Sequence, residues 1–468
     1  MLFYLQLRLV LVISVEVYTI PISNAEQDNA YIVYRPLLGL AFVGNQAMAG
    51  VAKSLAEEPT RPLDDDVHAF LEKIGFLCPD PPAPQLPAAG DFSPAGLTLL
   101  MTNQCQLRCT YCYAAAGDAP PQHLSLETGY AAIDYTYESL KRMNHSKFRI
   151  ALHGGGEPTF PWKTMRDLVA YAKEKPIPTE VSLTSNGVWS KQQTEWIMAY
   201  VDSVGISIDG SPQTQDAQRP LASGKGSSRL VMQTLRELEA NRFPYGLRLT
   251  AVPPFDHLLE DVRFLCENTH SQHMQVEPAF HPERGGGYKY RLEEGMQFLQ
   301  AFFAAQRLAE QYGQELRCVG SDVDKISPIP CGSPFNSLIV TPQNKLVACF
   351  EVTDDSHPLA ELMTIGRITP QGVEIDEKVR STLRQKIVER LASCRDCFCY
   401  WTCAGGCLPR TLFPGPDSHL EHGAHCDLKR VLLQEMLLKQ IAAGNGLRRR
   451  APQRRDAGEV PTSARKNH

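Results

Sequence analysis

From Gly96 onward, short apolar runs alternate with longer segments whose apolar residues recur at helical spacing. The runs Leu97–Thr102, Phe148–Leu152, Val181–Thr184, Val204–Ile208, Leu247–Val252 and Met274–Glu277 predict strands. Helical patterns fall between them over Ser125–Met143, Trp162–Glu174, Lys191–Tyr200, Arg229–Asn241 and Leu258–Asn268, and Leu292–Tyr312 follows as a sixth. Short apolar strands separated by amphipathic helices predict a parallel sheet of the α/β class. Six such units over residues 93–315 predict a partial (β/α)6 TIM-like barrel rather than a closed eightfold one. In such architectures the active site lies at the carboxyl ends of the strands.

The flanks read differently. Ala30–Val43 alternates as one or two strands would, and Gln46–Glu57 and Leu63–Phe76 carry helical spacing, the second through Val67, Phe70, Leu71 and Ile74. The proline-rich stretch Pro79–Pro87 marks a boundary, so residues 30–88 form a small N-terminal α+β module. Residues 1–29 read as a leader or poorly ordered start. Their apolar run Leu9–Val15, bracketed by Arg8 and Glu16, is too short to span a bilayer, although Ser23-Asn24-Ala25 has the form of a cleavage site. After Tyr312 come a hairpin-like Ser337–Cys349 with Asn344 at its turn, a charged helix Asp376–Leu391, a cysteine tract Cys394–Cys426 and an amphipathic helix Val431–Ile441. These place a C-terminal cysteine-rich domain over residues 316–435. Residues 447–468, with Arg448, Arg449, Arg450, Arg454 and Arg455, read as a basic, disordered tail.

The 468 residues allow two or three domains, and the net charge of -5 leaves no basic footprint for nucleic acid. No nucleic-acid or membrane partner is expected. The 14 cysteines cluster in two short tracts, which points to metal or cluster ligation in a reducing compartment rather than to disulfides. Cys105-Gln106-Leu107-Arg108-Cys109-Thr110-Tyr111-Cys112 places three thiols in one tight loop. Three ligands are one short of a closed zinc site or a fully ligated four-iron cluster. A four-iron cluster so held keeps one iron open; the alternative is a zinc knuckle completed by a remote His or Cys. Gly154-Gly155-Gly156-Glu157-Pro158, Thr184-Ser185-Asn186-Gly187 and Ser207-Ile208-Asp209-Gly210 end the next three predicted strands, and Asp216 and Arg219 follow.

The cysteine spacing, the Tyr111 between its last two members and the glycine-rich end of the next strand resemble the radical S-adenosylmethionine (SAM) superfamily. The resemblance implies a four-iron, four-sulfur cluster on Cys105, Cys109 and Cys112. It places the SAM amino group on Gly155, Gly156 and Glu157, the ribose and carboxylate on Ser185, Asn186, Ser207 and Arg219, and the adenine against the Tyr111 backbone. The C-terminal tract is similar to the SPASM domain, which binds one or two auxiliary four-iron clusters. By that likeness Cys331, Cys349 and Cys407 hold the first, with Cys318 as fourth ligand or an open site, and Cys394, Cys397, Cys403 and Cys426 hold the second. Asn344 stands where glycine is usual, and Asn tolerates a left-handed turn. Cys399 is extra to the pattern, and Cys78 and Cys266 read as buried apolar thiols. A pair of zinc ribbons is the alternative for the tract.

The implied activity is reductive cleavage of SAM to a 5′-deoxyadenosyl radical and oxidation of a ribosomally made peptide, for instance to a thioether or carbon–carbon cross-link. The implied partners are that peptide or protein substrate and a cytosolic electron donor such as flavodoxin or ferredoxin, in the cytoplasm. An anaerobic sulfatase maturase forming formylglycine is the second reading. Such enzymes carry Asp directly after the hairpin cysteine, where this chain has Phe350 and then Glu351. A non-catalytic iron–sulfur electron carrier is a third; it needs neither the Gly-Gly-Glu segment nor the barrel. The N-terminal module reads as a winged-helix leader binder or as a packing extension.

Overall fold

The computed structural model describes residues 15–22, 29–88, 90–279, 283–285, 291–412 and 423–450. The expectations for the first 14 residues, for Ser23-Asn24-Ala25 and for Arg454 and Arg455 lie outside the described residues. The strands in chain order are β1 (Tyr18–Pro21), β2 (Ala30–Arg35), β3 (Leu40–Asn45), β4 (Gly96–Leu100), β5 (Phe148–His153), β6 (Thr179–Ser185), β7 (Ser203–Ser207), β8 (Tyr245–Ala251), β9 (His273–Pro278), β10 (Glu315–Arg317), β11 (Ser337–Val340), β12 (Lys345–Val347), β13 (Thr364–Thr369), β14 (Gly372–Ile375) and β15 (Leu447–Arg449).

β4 to β9 pair side by side in chain order, all parallel. Helices Leu126–Arg142, Trp162–Lys173, Lys191–Tyr200, Ser228–Ala240 and Leu258–Asn268 occupy the crossovers, and Leu292–Gln311 follows β9. The strands sort their side chains by alternation. On β8, Leu247, Leu249 and Ala251 are buried while Arg248 and Thr250 are not; on β9, Met274 and Val276 are buried while Gln275 and Glu277 are only half-buried. One residue of slip would exchange the two faces, so the apolar pattern fixes which polar groups look into the barrel. Helix starts are set locally. Ser125 accepts from the Thr128 N–H at 3.1 Å, and Ser190 and Gln193 form a reciprocal cap. The seven-residue helix Pro212–Gln218, too short to show a period, delivers Arg219 at its end.

Three expectations change. The C-terminal hairpin does not stand apart from the barrel: β11 pairs parallel with β4 and leads through β12, β13 and β14, giving one sheet of eleven strands. An open barrel leaves the outer edges of its first and last strands unpaired, and unpaired edges are filled where chain is at hand. β11 fills the β4 edge and β10 the β9 edge. The basic tail is ordered where it begins. β15 pairs antiparallel with β3, and Arg448 is 2 % exposed, its guanidinium paired with Asp324 and donating to Gln440 Oε1 at 2.6 Å. A solvated-tail reading counted the charge without its partner. Finally, β1 lies inside the segment taken for a loose start; it pairs with β2, and the Trp401 indole donates to the Glu16 carboxylate at 2.9 Å.

The N-terminal sheet runs β1-β2-β3-β15. Val33, Leu40 and Phe42 pack with Leu55, Leu71 and Phe76 of the following helical segment, while Ile20, Ile32, Tyr34 and Ala41 join the main core. The last long helix starts at Gly423, well before the predicted Val431.

Candidate active site

Cys105, Cys109 and Cys112 lie in the loop that leaves β4. Its backbone is pinned on two sides. Gly156 N donates to Thr102 O and Glu157 N to Gln104 O, both at 2.8 Å, while Arg108 N donates to Pro220 O at 2.7 Å and Thr110 N to Gln218 O at 2.9 Å. A Cβ at Gly156 would collide with the Gln104 backbone, so this glycine is required by the close approach of the β5 end to the cysteine loop. Two arginines clasp the loop from within and without. Arg108 donates to Cys105 O at 2.7 Å; Arg284 donates to Cys109 O at 3.1 Å and pairs with Asp118 at 2.7 Å. The hydrogen bond from Arg284 holds the Asp118 carboxyl below its ordinary range.

The three cysteines border a cavity of about 320 Å³ at the carboxyl ends of the barrel strands. Tyr111, Gly155, Gly156, Glu157, Ser185, Asn186, Ser207 and Arg219 border the same cavity. Their arrangement refines the roles expected of them. Glu157, 2 % exposed, accepts from Ser185 Oγ at 2.7 Å, Thr159 Oγ1 at 2.8 Å and Asn186 N at 2.9 Å. Its carboxylate is a hub that fixes the ends of β5 and β6 together, although burial raises its pKa. Asn186 Nδ2 in turn donates to Cys105 Sγ at 3.6 Å, and Leu107 N donates to the same sulfur at 3.4 Å. Hydrogen bonds to a ligating sulfur tune the potential of the cluster it holds.

Tyr111 and Arg219 form a second network. Tyr111 O–H donates to Asp209 Oδ2 at 2.6 Å, Arg219 Nη1 donates to the Tyr111 oxygen at 2.6 Å, and Arg219 lies 3.8 Å from Asp209. Asp209 is 3 % and Arg219 8 % exposed, so each charge depends on the other. Arg219 Nε is buried with no hydrogen-bond partner, an orphan donor on a residue that lines the cavity. Asp209 and Thr159 were not singled out from the sequence. The signal for Asp209 was its place in Ser207-Ile208-Asp209-Gly210 at a strand end; Thr159 gave none.

The C-terminal cysteines form two further groups. Cys394, Cys397, Cys403 and Cys426 line a cavity of about 250 Å³ together with Cys399. Arg390 Nη2 donates to Cys426 Sγ at 3.1 Å, and the Cys399 S–H donates to Lys429 O at 3.7 Å. Hydrogen bonds from Cys399 and Arg430 push the Cys397 thiol down to about 5, whereas burial pushes Cys403 up to about 11. Cys331 and Cys407 stand close enough to Cys349 to raise its pKa, after burial and Glu351. Asn344, at φ +63°, makes the left-handed turn between β11 and β12, and Ala404, Gly405 and Gly406, all at positive φ, turn the chain back before Cys407. Cys318 is buried beside Val319, Arg410, His425 and Lys429, and its thiol is pushed up to about 12 by burial and Glu277. Its place is set by the strand β10 that precedes it, which binds the barrel edge.

Among the described residues no three His, Cys, Asp or Glu side chains converge on a single ion; the first trio instead surrounds open volume, as a multi-iron cluster with one iron per thiolate requires. Burial pushes Cys105 up to about 12, and binding a metal favours the thiolate against that cost. The donor set, the cavity and the orphan Arg219 donor fit a cluster with SAM beside it.

Residues 99–265 match the Radical SAM superfamily. The chain is 29% identical over 203 residues to the sporulation killing factor maturation protein SkfB of Bacillus subtilis, covering 43% of this chain and 46% of that one. It is 25% identical over 345 residues to the mycofactocin maturase MftC of Mycobacterium tuberculosis, covering 69% and 80%. The match spans about half or less of the length of the first such relatives, among them Fe-coproporphyrin III synthase of Methanosarcina barkeri, 30% identical over 40% of its length. The fold is shared with native anSMEcpe with bound AdoMet, at a TM-score of 0.58, 16% identity and coverage of 75% of this chain and 99% of that one. The matched stretch takes in the end of β4, all of β5 to β8, most of the helix Leu258–Asn268 and the cavity residues from Cys105 to Thr250. Among the described residues no helix is long and apolar enough to cross a membrane.

Proposed function

We propose that this protein is a radical SAM enzyme that oxidatively modifies a ribosomally made peptide. The observation that carries the reading is a single cavity bordered by the three-cysteine loop and by the polar ends of β5, β6 and β7. Cys105, Cys109 and Cys112 would hold a four-iron cluster. That cluster, with SAM, supplies one-electron cleavage to a deoxyadenosyl radical able to take hydrogen from an unactivated C–H bond. This chain's residues orient and shield. Glu157 holds Ser185 and Asn186 at the cavity wall. Arg219, a guanidinium paired with Asp209, offers its unpartnered N–H to the SAM carboxylate. The cysteine groups at Cys331, Cys349 and Cys407 and at Cys394, Cys397, Cys403 and Cys426 would hold auxiliary clusters that accept electrons from the oxidised substrate. A cytosolic reductant such as a flavodoxin or ferredoxin would feed the first cluster, and a cytoplasmic location belongs to the same proposal.

Two relatives are named as maturation proteins, and this supports a peptide substrate. For formylglycine formation the position after Cys349 would have to be an acid. It is Phe350, whose ring lies 5.5 Å from that of His153, and the next residue, Glu351, is paired with Arg410 at 3.7 Å. An electron carrier would have no use for a cavity of this lining. The N-terminal sheet is covered on both faces and is read as a packing extension.

The test is anaerobic purification and reconstitution, followed by iron analysis and 5′-deoxyadenosine formation with dithionite. Three four-iron clusters give about twelve irons per chain, a brown protein and deoxyadenosine. A colourless, zinc-loaded protein that yields no deoxyadenosine would overturn the proposal. A short peptide encoded beside this protein, offered against a cysteine-containing sulfatase peptide, separates the two substrate readings.

A further inference from the structure

The cavity has two walls, and only one is accounted for. The cysteine loop and the groups assigned to the nucleoside lie at the ends of β4 to β7; the inner faces of β8 and β9 form the rest. Arg248 and Thr250 project there from β8, and Gln275 and Glu277 from β9, with Arg248 opposite Gln275 and Thr250 opposite Glu277. Three guanidinium groups border the cavity: Arg219, Arg248 and Arg410. Arg219 is committed to Tyr111 and Asp209, and Arg410 is paired with Glu351. Arg248 lines the cavity with its side chain open to solvent, and it makes no hydrogen bond or ion pair among the described residues. Glu277 is held in place instead: its Oε1 accepts from Val319 N at 2.6 Å and from Gln275 Nε2 at 3.2 Å.

We propose that Arg248 is the substrate-recognition group of this cavity and takes a carboxylate of the peptide, from an acidic side chain or a free C terminus. The inference rests on the peptide-modifying reading above. An unpaired guanidinium at the solvent-open rim of a cavity is a site for a planar carboxylate, which it can grip with two parallel N–H bonds. Arg248 stands on β8 directly opposite Ser207 of β7, at the border between the groups assigned to the nucleoside and the β8–β9 wall, so the peptide enters from the β8–β9 side and presents its reacting carbon toward the cysteine loop. Glu277, fixed on the same wall, repels a second carboxylate and so sets how the acidic group approaches.

The experiment uses the reconstituted full-length enzyme, immobilised anaerobically with SAM, and a random ten-residue peptide library in two arms, one with free C termini and one amidated. The wild type is expected to retain peptides enriched about tenfold for a carboxylate. Enrichment of Asp and Glu in both arms identifies a side chain; retention confined to the free arm identifies the C terminus. Arg248→Gln should abolish the enrichment and Arg248→Glu should replace it by enrichment of Lys and Arg, with iron content and SAM affinity within about twofold of wild type. Absence of any carboxylate preference in the wild type, or its persistence in both variants, would overturn the proposal. A tenfold loss of SAM affinity with peptide preference unchanged would overturn it too, by assigning Arg248 to the nucleoside. Deoxyadenosine formed by the wild type without peptide keeps the enzymatic reading intact if the library result fails.

Discussion

The first and last cysteine groups use the same side chain for opposite ends. The loop Cys105–Cys112 offers three thiols, is tied down by Arg108 and Arg284, and opens on a cavity of about 320 Å³ with polar strand ends along its wall. The tract Cys394–Cys426 offers four thiols and Cys399 around a smaller space of its own, walled by Ser393, Tyr400 and Arg430 rather than by strand ends. What differs is the setting. A ligand set one short of closure, at the carboxyl ends of parallel strands, leaves a coordination position facing groups that can hold a small molecule. A set that closes on itself leaves none, and suits storage or passage of electrons.

That contrast can be broken directly. Cys109→Ala should remove about four of roughly twelve irons and all deoxyadenosine formation above background; iron analysis and product chromatography measure both. Cys403→Ala should also cost about four irons, yet SAM cleavage without peptide should continue at a rate close to wild type while peptide modification stops. Equal loss of SAM cleavage in both variants would erase the distinction.

Smaller changes sharpen it. Glu157→Gln leaves buried N–H and O–H donors from Asn186, Ser185 and Thr159 competing for one carbonyl oxygen. Losing about 1–3 kcal/mol of such pairing predicts SAM affinity lower by roughly tenfold to a hundredfold, read by equilibrium binding. Tyr111→Phe removes the hydroxyl between Asp209 and Arg219; the cost is about 1–3 kcal/mol of stability in a denaturant titration, with iron content unchanged. The smallest effect is a pH dependence. Desolvation, then the charge of Arg248, pushes His153 from its ordinary 6.5 down to about 4. Between those values the unfolded chain takes up a proton that the folded chain refuses, so stability falls as pH drops from 6.5 toward 4 and levels off below. Arg248→Gln raises the folded value and flattens that slope, whereas a slope unchanged in the variant would separate Arg248 from His153.

The barrel was legible because its signal is local. Six apolar runs and six helical periods lie within a few residues of the strands β4 to β9 and their helices. The cavity residues were legible for the same reason: Cys105, Glu157, Ser185 and Ser207 each fall at or just beyond a strand end, where the chain has no other way to place them. Roles were less legible than positions. Glu157 reads as a contact for an ammonium group from its motif; the structure adds that its Oε1 accepts from Ser185 and Thr159 and its Oε2 from Asn186, a holding role that the motif did not show. Cys318 reads as the fourth ligand of the first auxiliary group only because that group is one short; the structure places it after β10, in a pocket that it shares with Arg410, His425 and Lys429.

The amino-acid order alone determined a parallel barrel, a three-thiol loop at its mouth and a cysteine-rich extension, because periodicity and motif spacing are written in neighbouring residues. Tertiary structure decided the rest: that the extension zips onto β4 in one sheet, that Arg448 is buried with Asp324, and that Arg248 faces the cavity alone. Each of those depends on which distant groups meet. A charge is solvated, paired or left searching for a ligand according to its partner in space, and its neighbours along the chain do not say which.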